Sequence, residues 1–263
     1  MTSPQTPPDA TAVVLAIQND ASDPPLLVGE WLEEQGIRLD VIRAFLGEPV
    51  PATVPDGVHG ILALGGVMGA NEDDVAPWLR DERALMVNAV DRGIPTLGLC
   101  LGGQLLAAAT GGRVTLGPAT EIGLVRVRRT VDGLLDPVMS QVVPAYGSDI
   151  PATHWHQDNI VELPDGAVLL LTNEACPVQG FRVGDSAYGL QMHPEIDPDT
   201  FASWADANDE ALARSGRDPV AAGHEVRAAE HDLIAAWRPM TRAWADLVWA
   251  RALDGTVPQP TQA

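Results

Sequence analysis

The stretch Gly98-Leu99-Cys100-Leu101-Gly102-Gly103-Gln104 constrains the fold of this chain more than any other. Before it, Ile94-Pro95-Thr96-Leu97-Gly98-Leu99 reads as a short buried strand, and after it Leu101 to Thr110, rich in Leu and Ala, reads as a helix. A thiol at the sharp turn between a strand and a helix is a nucleophile elbow. Cys100 then sits at a helix N-terminus, where unpaired amides and the positive end of the helix dipole favour the reactive thiolate. Glycines at 98, 102 and 103 remove side chains where a strained turn and a close strand-helix approach would clash. A buried structural cysteine in a glycine-rich turn is the plainer alternative, and it suits a lone Gly-x-Cys-x-Gly better than it suits this chain.

The elbow demands a sheet to carry it, and the preceding hundred residues supply one. Ala12 to Ile17 is a continuous apolar run suited to a central strand of a parallel sheet. Leu26 to Gln35 is amphipathic and ends at Gly36. Arg38 to Phe45 reads as a second strand, Gly57 to Leu64 as a third, and Pro77 to Asp91 as a helix. This alternation predicts an α/β fold: a doubly wound, mostly parallel sheet flanked by helices, with its chemistry at the carboxyl ends of the strands. From Arg113 the pattern shifts to short strands, over Arg113 to Leu116, Gly123 to Thr130, Val168 to Thr172, Val178 to Val183 and Tyr188 to Met192. Beyond Pro198 helices return, over Phe201 to Arg214 and over a longer segment opened by Asp218-Pro219, a cap with proline at the first helical position. In that segment Val226, Leu233, Trp237, Met240, Trp244 and Leu247 share one face, and Pro239 is expected to kink it. Four of the seven tryptophans lie in this tail, either covering the domain's own surface or offering a homodimer or partner face. The expected organisation is a disordered leader over residues 1–10, one domain over 11–197, and a C-terminal helical extension over 198–263 packed on it.

Composition excludes several function classes. The net charge is −20 and the pI near 4.4, which argues against nucleic-acid and anionic-membrane surfaces. All sixteen basic residues are arginine, so there is no Walker A lysine, no Schiff base and no lysine general base. The Pro- and Thr-rich N-terminus is no signal peptide, and no apolar stretch reaches bilayer length, so the chain reads as cytoplasmic. Two cysteines form no disulfide framework. Cys176, ahead of Pro177 at a loop-to-strand junction, reads as structural. No cofactor and no metal is called for. His154 and His156 invite a metal reading, but the intervening Trp155 and the lack of a carboxylate at fixed spacing other than Asp158 favour a structured substrate loop.

A thiolate nucleophile needs a base and a group to orient that base, and Gln191-Met192-His193-Pro194-Glu195 offers both. His193 follows a predicted strand, and Glu195 is near enough to accept a ring N–H and fix its tautomer. Cysteine, histidine and carboxylate then follow the logic of a triad. Leu64-Gly65-Gly66-Val67-Met68-Gly69, at the end of the third strand, leaves backbone amides uncovered, as an oxyanion hole requires.

The run Gly93 to Ala107, with Gly65-Gly66 upstream and His193-Pro194-Glu195 downstream, closely resembles class I glutamine amidotransferases, and most of all free-standing proteins similar to the glutaminase domain of GMP synthase. Glu121-Ile122-Gly123, His154-Trp155-His156-Gln157-Asp158 and Gln179-Gly180-Phe181-Arg182 also match, so the likeness spans Ala12 to Glu195. The resemblance implies a flavodoxin-like sheet and an enzyme in which Cys100 attacks the carboxamide carbon of glutamine. His193 serves as acid and base, Glu195 orients it, and the amides of Gly66 and Leu101 hold the oxyanion. Gly65, Gln104, Trp155 and His156 would form the pocket for the amino-acid end. One departure is Gly103, where relatives often carry His or a larger residue, which implies a less defined pocket.

The implied activity is hydrolysis of the γ-amide of glutamine through a γ-glutamyl thioester, with ammonia released or passed to a separate synthetase subunit, since the chain leaves no room for an ATP-pyrophosphatase domain. The alternative within the same chemistry is a γ-glutamyl peptide or γ-glutamyl amine hydrolase. A non-catalytic regulatory subunit would be expected to have lost one of Cys100, His193 and Glu195. The elbow-cysteine stress proteins share the sheet but usually lack His-Pro-Glu at this place.

Overall fold

The computed structural model describes residues 11–145, 147–206 and 214–254; the leader read over residues 1–10 lies outside them. Among the described residues nine strands run in the order Ala12–Gln18 (β1), Ile37–Arg43 (β2), Gly60–Ala63 (β3), Thr96–Leu99 (β4), Arg113–Arg129 (β5), Ile150–Glu162 (β6), Val168–Thr172 (β7), Gly180–Val183 (β8) and Ala187–Leu190 (β9). They form one sheet of order β2-β1-β3-β4-β9-β8-β7-β5-β6. The first five in that order pair parallel, and β9-β8-β7-β5-β6 continues as an antiparallel wing. Every residue of β1 is buried, as a strand covered on both faces requires.

Seven α-helices whose bounds lie among the described residues accompany the sheet: Leu26–Glu34 (α1), Leu79–Asp91 (α2), Leu101–Ala109 (α3), Val131–Leu135 (α4), Pro198–Asp206 (α5), Pro219–Ala228 (α6) and Glu230–Asp254 (α7). The two-residue period of β1 splits its side chains between faces. Val14 and Ala16 pack with Trp31 and Leu32 of α1 and with Trp237, Met240 and Trp244 of α7. Leu15 and Ile17 pack with Leu85 and Ala89 of α2. The face shared along α7 is thus core: Leu233, Trp237, Met240 and Trp244 are buried and Leu247 is half-buried.

Several sequence expectations change. The two strands read over Arg113 to Thr130 are one strand, with a register shift between Leu116 and Glu121 where the pairing to β6 is interrupted. The largest correction concerns His154-Trp155-His156-Gln157-Asp158, expected as a loop, which lies inside β6. Its alternation is real, with His154 and His156 buried on one face, but it is written in polar residues that hide the period. The helix expected over Phe201 to Arg214 is α5 up to Asp206, and residues 207–213 lie outside the described chain. The long tail helix is interrupted at Ala229 and runs on through Pro239, where Trp237 and Met240 anchor it in the core on either side. The cap at Asp218 forms as read, its side chain accepting from the Ala221 amide.

Candidate active site

The carboxyl ends of β1, β3, β4 and β9 converge on one cavity, where a doubly wound sheet places its ligands. Cys100 stands between β4 and α3 with φ +48° and ψ −106°, a region that L-residues avoid and that costs about 1–3 kcal/mol. Its amide donates to Leu190 of β9 and its carbonyl accepts from Gln104, so the strained residue is clamped at both ends. The elbow closes because the chain is bare where backbones meet. A β-carbon at Gly98 would lie 2.4 Å from the Gly102 carbonyl oxygen, and one at Gly102 would lie 2.2 Å from that of Ala63. Gly103 faces the Leu190 backbone at 2.6 Å and does not line the cavity. Its glycine is therefore a packing requirement between α3 and β9, and not the mark of a less defined pocket.

His193 and Glu195 follow β9. His193 Nδ1 lies 2.8 Å from Glu195 Oε1, with the two side chains 2 % and 0 % exposed. Burial alone would depress the His193 pKa, but the Cys100 sulfur, within hydrogen-bonding reach, and the Glu195 carboxylate outweigh it and hold the imidazole well above its ordinary value. The arrangement keeps His193 protonated beside the Cys100 sulfur. Trp204 of α5 packs edge-on against the His193 ring at 4.9 Å and donates its indole N–H to the Ser22 carbonyl.

All nine residues singled out from the sequence come together here. Gly66, Cys100, Leu101, Gln104, Trp155, His156 and His193 line the cavity, whose volume is about 710 Å³. Glu195 sits behind His193. Gly65 is wedged where a β-carbon would lie 2.3 Å from Asp23 Oδ1 and 2.9 Å from His193 Cε1. Three further features escape sequence reading. Asp23, on the turn after β1, faces the cavity beside His193, and burial raises its pKa to about 6 against the lowering pull of His193. Gln191 places Nε2 3.9 Å from Cys100 Sγ. On the far side of Gly65 and Gly66, Asn19 donates to the Leu64 carbonyl and to Glu82 and accepts from Trp78. Asp23 and Asn19 belong to a polar turn with no motif of its own, and no signal in one sequence separates them from their neighbours.

Glu121, His154 and His156 have donor atoms within 4.8 Å of one another, the one such group among the described residues. The carboxylate is already engaged: Glu121 Oε1 accepts from Asn173 at 2.7 Å, and Oε2 accepts from Gln179 at 2.6 Å and faces His156 Nε2 at 3.1 Å. Burial would raise the Glu121 pKa, but the His156 hydrogen bond and the neighbouring imidazoles bring it down to about 2. Burial and the charge of His156 lower that of His154 to about 3, which leaves a neutral ring. Glu121 and His156 therefore read as a hydrogen-bonded brace, with the His154 ring buried beside it and neither of its nitrogens hydrogen-bonded among the described residues. Cys176 is buried nearby and its thiol is pushed up to about 12, chiefly by burial, as an inert structural cysteine requires.

A family model described as "Glutamine amidotransferase class-I" matches residues 32–205, more than half of the chain. The chain belongs to the class-I glutamine amidotransferase family. The glutamine amidotransferase-like protein YfeJ of Salmonella typhimurium is 31% identical over 170 residues, which cover 64% of this chain and 69% of that one. A glutamine-hydrolyzing GMP synthase subunit of Natronomonas pharaonis is 36% identical over 108 residues, 41% of this chain and 55% of the other. The chain thus spans about half the length of that relative. Among solved structures, a glutamine amido transferase from Methylobacillus flagellatus superposes with a TM-score of 0.71 at 32% identity, covering 97% of this chain and 99% of the other. The class-I match begins at residue 32, after β1 and the turn that carries Asn19 and Asp23, and ends within α5.

Proposed function

We propose that this protein hydrolyses the γ-carboxamide of glutamine through a cysteine-histidine-glutamate triad. The observation that carries the reading is the strained Cys100 at the α3 N-terminus, with His193 in reach of its sulfur and braced by Glu195 at 2.8 Å. The Cys100 thiolate attacks the carboxamide carbon, and the oxyanion that forms is held by the amides of Gly66 and Leu101. As the carbon-nitrogen bond breaks, the His193 imidazolium gives its proton to the departing nitrogen, leaving a γ-glutamyl thioester on Cys100. The neutral His193 then takes a proton from water, whose oxygen attacks the thioester carbon; the carbon-sulfur bond breaks, glutamate leaves and the thiolate returns. Glu195 stabilises each imidazolium state and fixes the ring so that Nε2 faces the reacting atoms. Gln104, Trp155 and His156 border the part of the cavity left for the amino-acid end.

Likeness to the GMP synthase subunit of Natronomonas pharaonis supports delivery of the ammonia to a separate synthetase. A cavity of about 710 Å³, in the range that holds drug-sized ligands, favours a second reading in which the leaving group is larger than ammonia, as in a γ-glutamyl peptide or amine. No helix among the described residues is long and apolar enough to cross a membrane. The test is glutamate and ammonia release from glutamine and from a set of γ-glutamyl peptides and amines, with Cys100→Ala as control. Turnover abolished by Cys100→Ala supports the reading, and absence of turnover of every γ-glutamyl compound, with or without candidate synthetases, defeats it.

A further inference from the structure

Gln191 and Glu121 carry no role in the mechanism just given, yet one line of hydrogen bonds joins them beneath the cavity to the nucleophile. Its polarity is fixed by groups that cannot reverse. The Asp158 carbonyl oxygen only accepts, so Gln104 Nε2, 3.0 Å away, donates to it, and His156 Nδ1 at 3.1 Å carries a proton. The second hydrogen of Gln104 Nε2 points to Gln191 Oε1 at 3.3 Å. With its oxygen so engaged, Gln191 turns Nε2 towards Cys100 Sγ at 3.9 Å. A flipped Gln191 would set two amide NH2 groups against each other and an oxygen lone pair against the thiolate. At the far end His156 Nε2 faces Glu121 Oε2 at 3.1 Å, so the ring is held on both sides. Glu121 is itself immobilised by Asn173 and Gln179. Glu121, Gln104, Gln191 and His156 are all buried, so water does not compete for these bonds.

We propose that Gln191 is a catalytic donor to the Cys100 sulfur, and that Glu121 is the positioning residue that sets its direction through His156, the Asp158 carbonyl and Gln104. The amide N–H of Gln191 supports the thiolate in the resting enzyme and yields as sulfur becomes the thioester. Glu121 never meets the reacting atoms; it holds the His156 ring that pins the Asp158 carbonyl, and that carbonyl selects the Gln104 rotamer. The inference deepens the reading above, but its consequence is the reactivity of a thiol and needs no turnover.

The experiment follows the rate of Cys100 alkylation by iodoacetamide against pH, by peptide mapping on the folded protein, for wild type, Gln191→Met, Gln191→Glu and Glu121→Gln. Gln191→Met keeps the length and loses the donor; it is expected to move the alkylation midpoint upward and slow the reaction near neutral pH by about threefold to tenfold, the effect of one lost hydrogen bond of ordinary net strength, as the long 3.9 Å contact to sulfur implies. Gln191→Glu replaces a donor by an anion and is expected to slow it further. Glu121→Gln is expected to act in the same direction by about twofold to threefold, with Tm measured for each variant to separate a loosened fold from a reoriented donor. Profiles that superimpose on wild type would overturn the proposal, as would equal shifts for Gln191→Met and Gln191→Glu. An unreactive Cys100 in the wild type would instead count against the thiolate-imidazolium reading itself.

Discussion

Replacing Glu195 by Gln removes one charge and leaves the shape of the site intact. The bond to His193 Nδ1 is 2.8 Å long between side chains that are 2 % and 0 % exposed, so water does not take its place. A hydrogen bond between an ionised pair in such surroundings is worth about 1.5–3 kcal/mol. If that energy supports the imidazolium in the transition state, kcat/KM for the γ-amide falls about 10- to 150-fold. Loss is not total, because the glutamine side chain still offers an oxygen to Nδ1. Glu195 Oε2 has no hydrogen-bond partner among the described residues, so nothing forces the new amide to present that oxygen instead of its nitrogen. The pH profile carries the sharper test. Glu195 is one of the groups that hold the His193 pKa above its ordinary value, so its neutralisation lowers that pKa. The imidazolium is then lost at a lower pH, and the alkaline limb of kcat/KM moves towards neutrality. Steady-state ammonia release between pH 6 and pH 9, wild type against Glu195→Gln, measures both effects. A variant within twofold of wild type, with its alkaline limb in place, would refute the orienting role.

Other consequences concern the scaffold. Burial raises the Glu82 pKa from 4.5 to about 8, so the folded state keeps a proton that the unfolded chain releases. Its contribution to stability is complete below about pH 4.5 and is lost as pH rises through 8, roughly 2 kcal/mol of it between pH 6 and pH 8. Urea unfolding of Glu82→Gln over that interval is expected to show a flatter pH dependence, and a slope equal to wild type would show that Glu82 ionises normally. Gly98→Ala drives a methyl group against the Gly102 carbonyl oxygen, where neither backbone has room to give. It is expected to cost more than about 3 kcal/mol or to prevent folding, and a soluble variant with wild-type urea midpoint would contradict the packing. Because Asn173, Gln179 and His156 already occupy Glu121, dialysis against EDTA is expected to leave Tm and turnover unchanged. A stoichiometric divalent metal in the purified protein, lost together with stability, would reverse that view of the cluster.

How much of this was legible in the sequence depended on whether the responsible residues carry a pattern of their own. Apolar runs do: β1, β4 and the elbow lie where the runs and glycines put them, because a parallel strand buried on both faces is apolar through its middle, with its one polar residue, Gln18 in β1 and Thr96 in β4, at an end. The elbow glycines were legible as a group, whereas the part played by Gly103 required the position of Leu190 on β9, 87 residues further along. β6 was not legible as a strand. Its buried face includes His154 and His156, the latter held by the Glu121 carboxylate, and a one-dimensional reading takes such residues for surface or loop. Gln191 lay within a segment recognised for its neighbours; its role as a donor depends on Gln104 and Asp158, which the fold alone brings to it.

The helices after residue 197 are best understood as part of the site and not as a cover added to a finished domain. Trp237 of α7 is buried in the main core and donates to the Pro151 carbonyl at the start of β6, the strand that carries Trp155, His156 and Asp158. Phe201 and Trp204 of α5 pack edge-on against Trp155, at 5.3 and 5.9 Å, and Trp204 also covers His193. Two walls of the cavity therefore take their positions from the extension: the β6 wall through Trp237 and Trp155, and the histidine wall through Trp204. Burial against Trp204 lowers the dielectric around His193, which strengthens its coupling to Cys100 and Glu195. The same contact ties the turn at Ser22, beside Asp23, to α5. A change in how α5 packs would move His193, Trp155 and the buried carboxyl of Asp23 together.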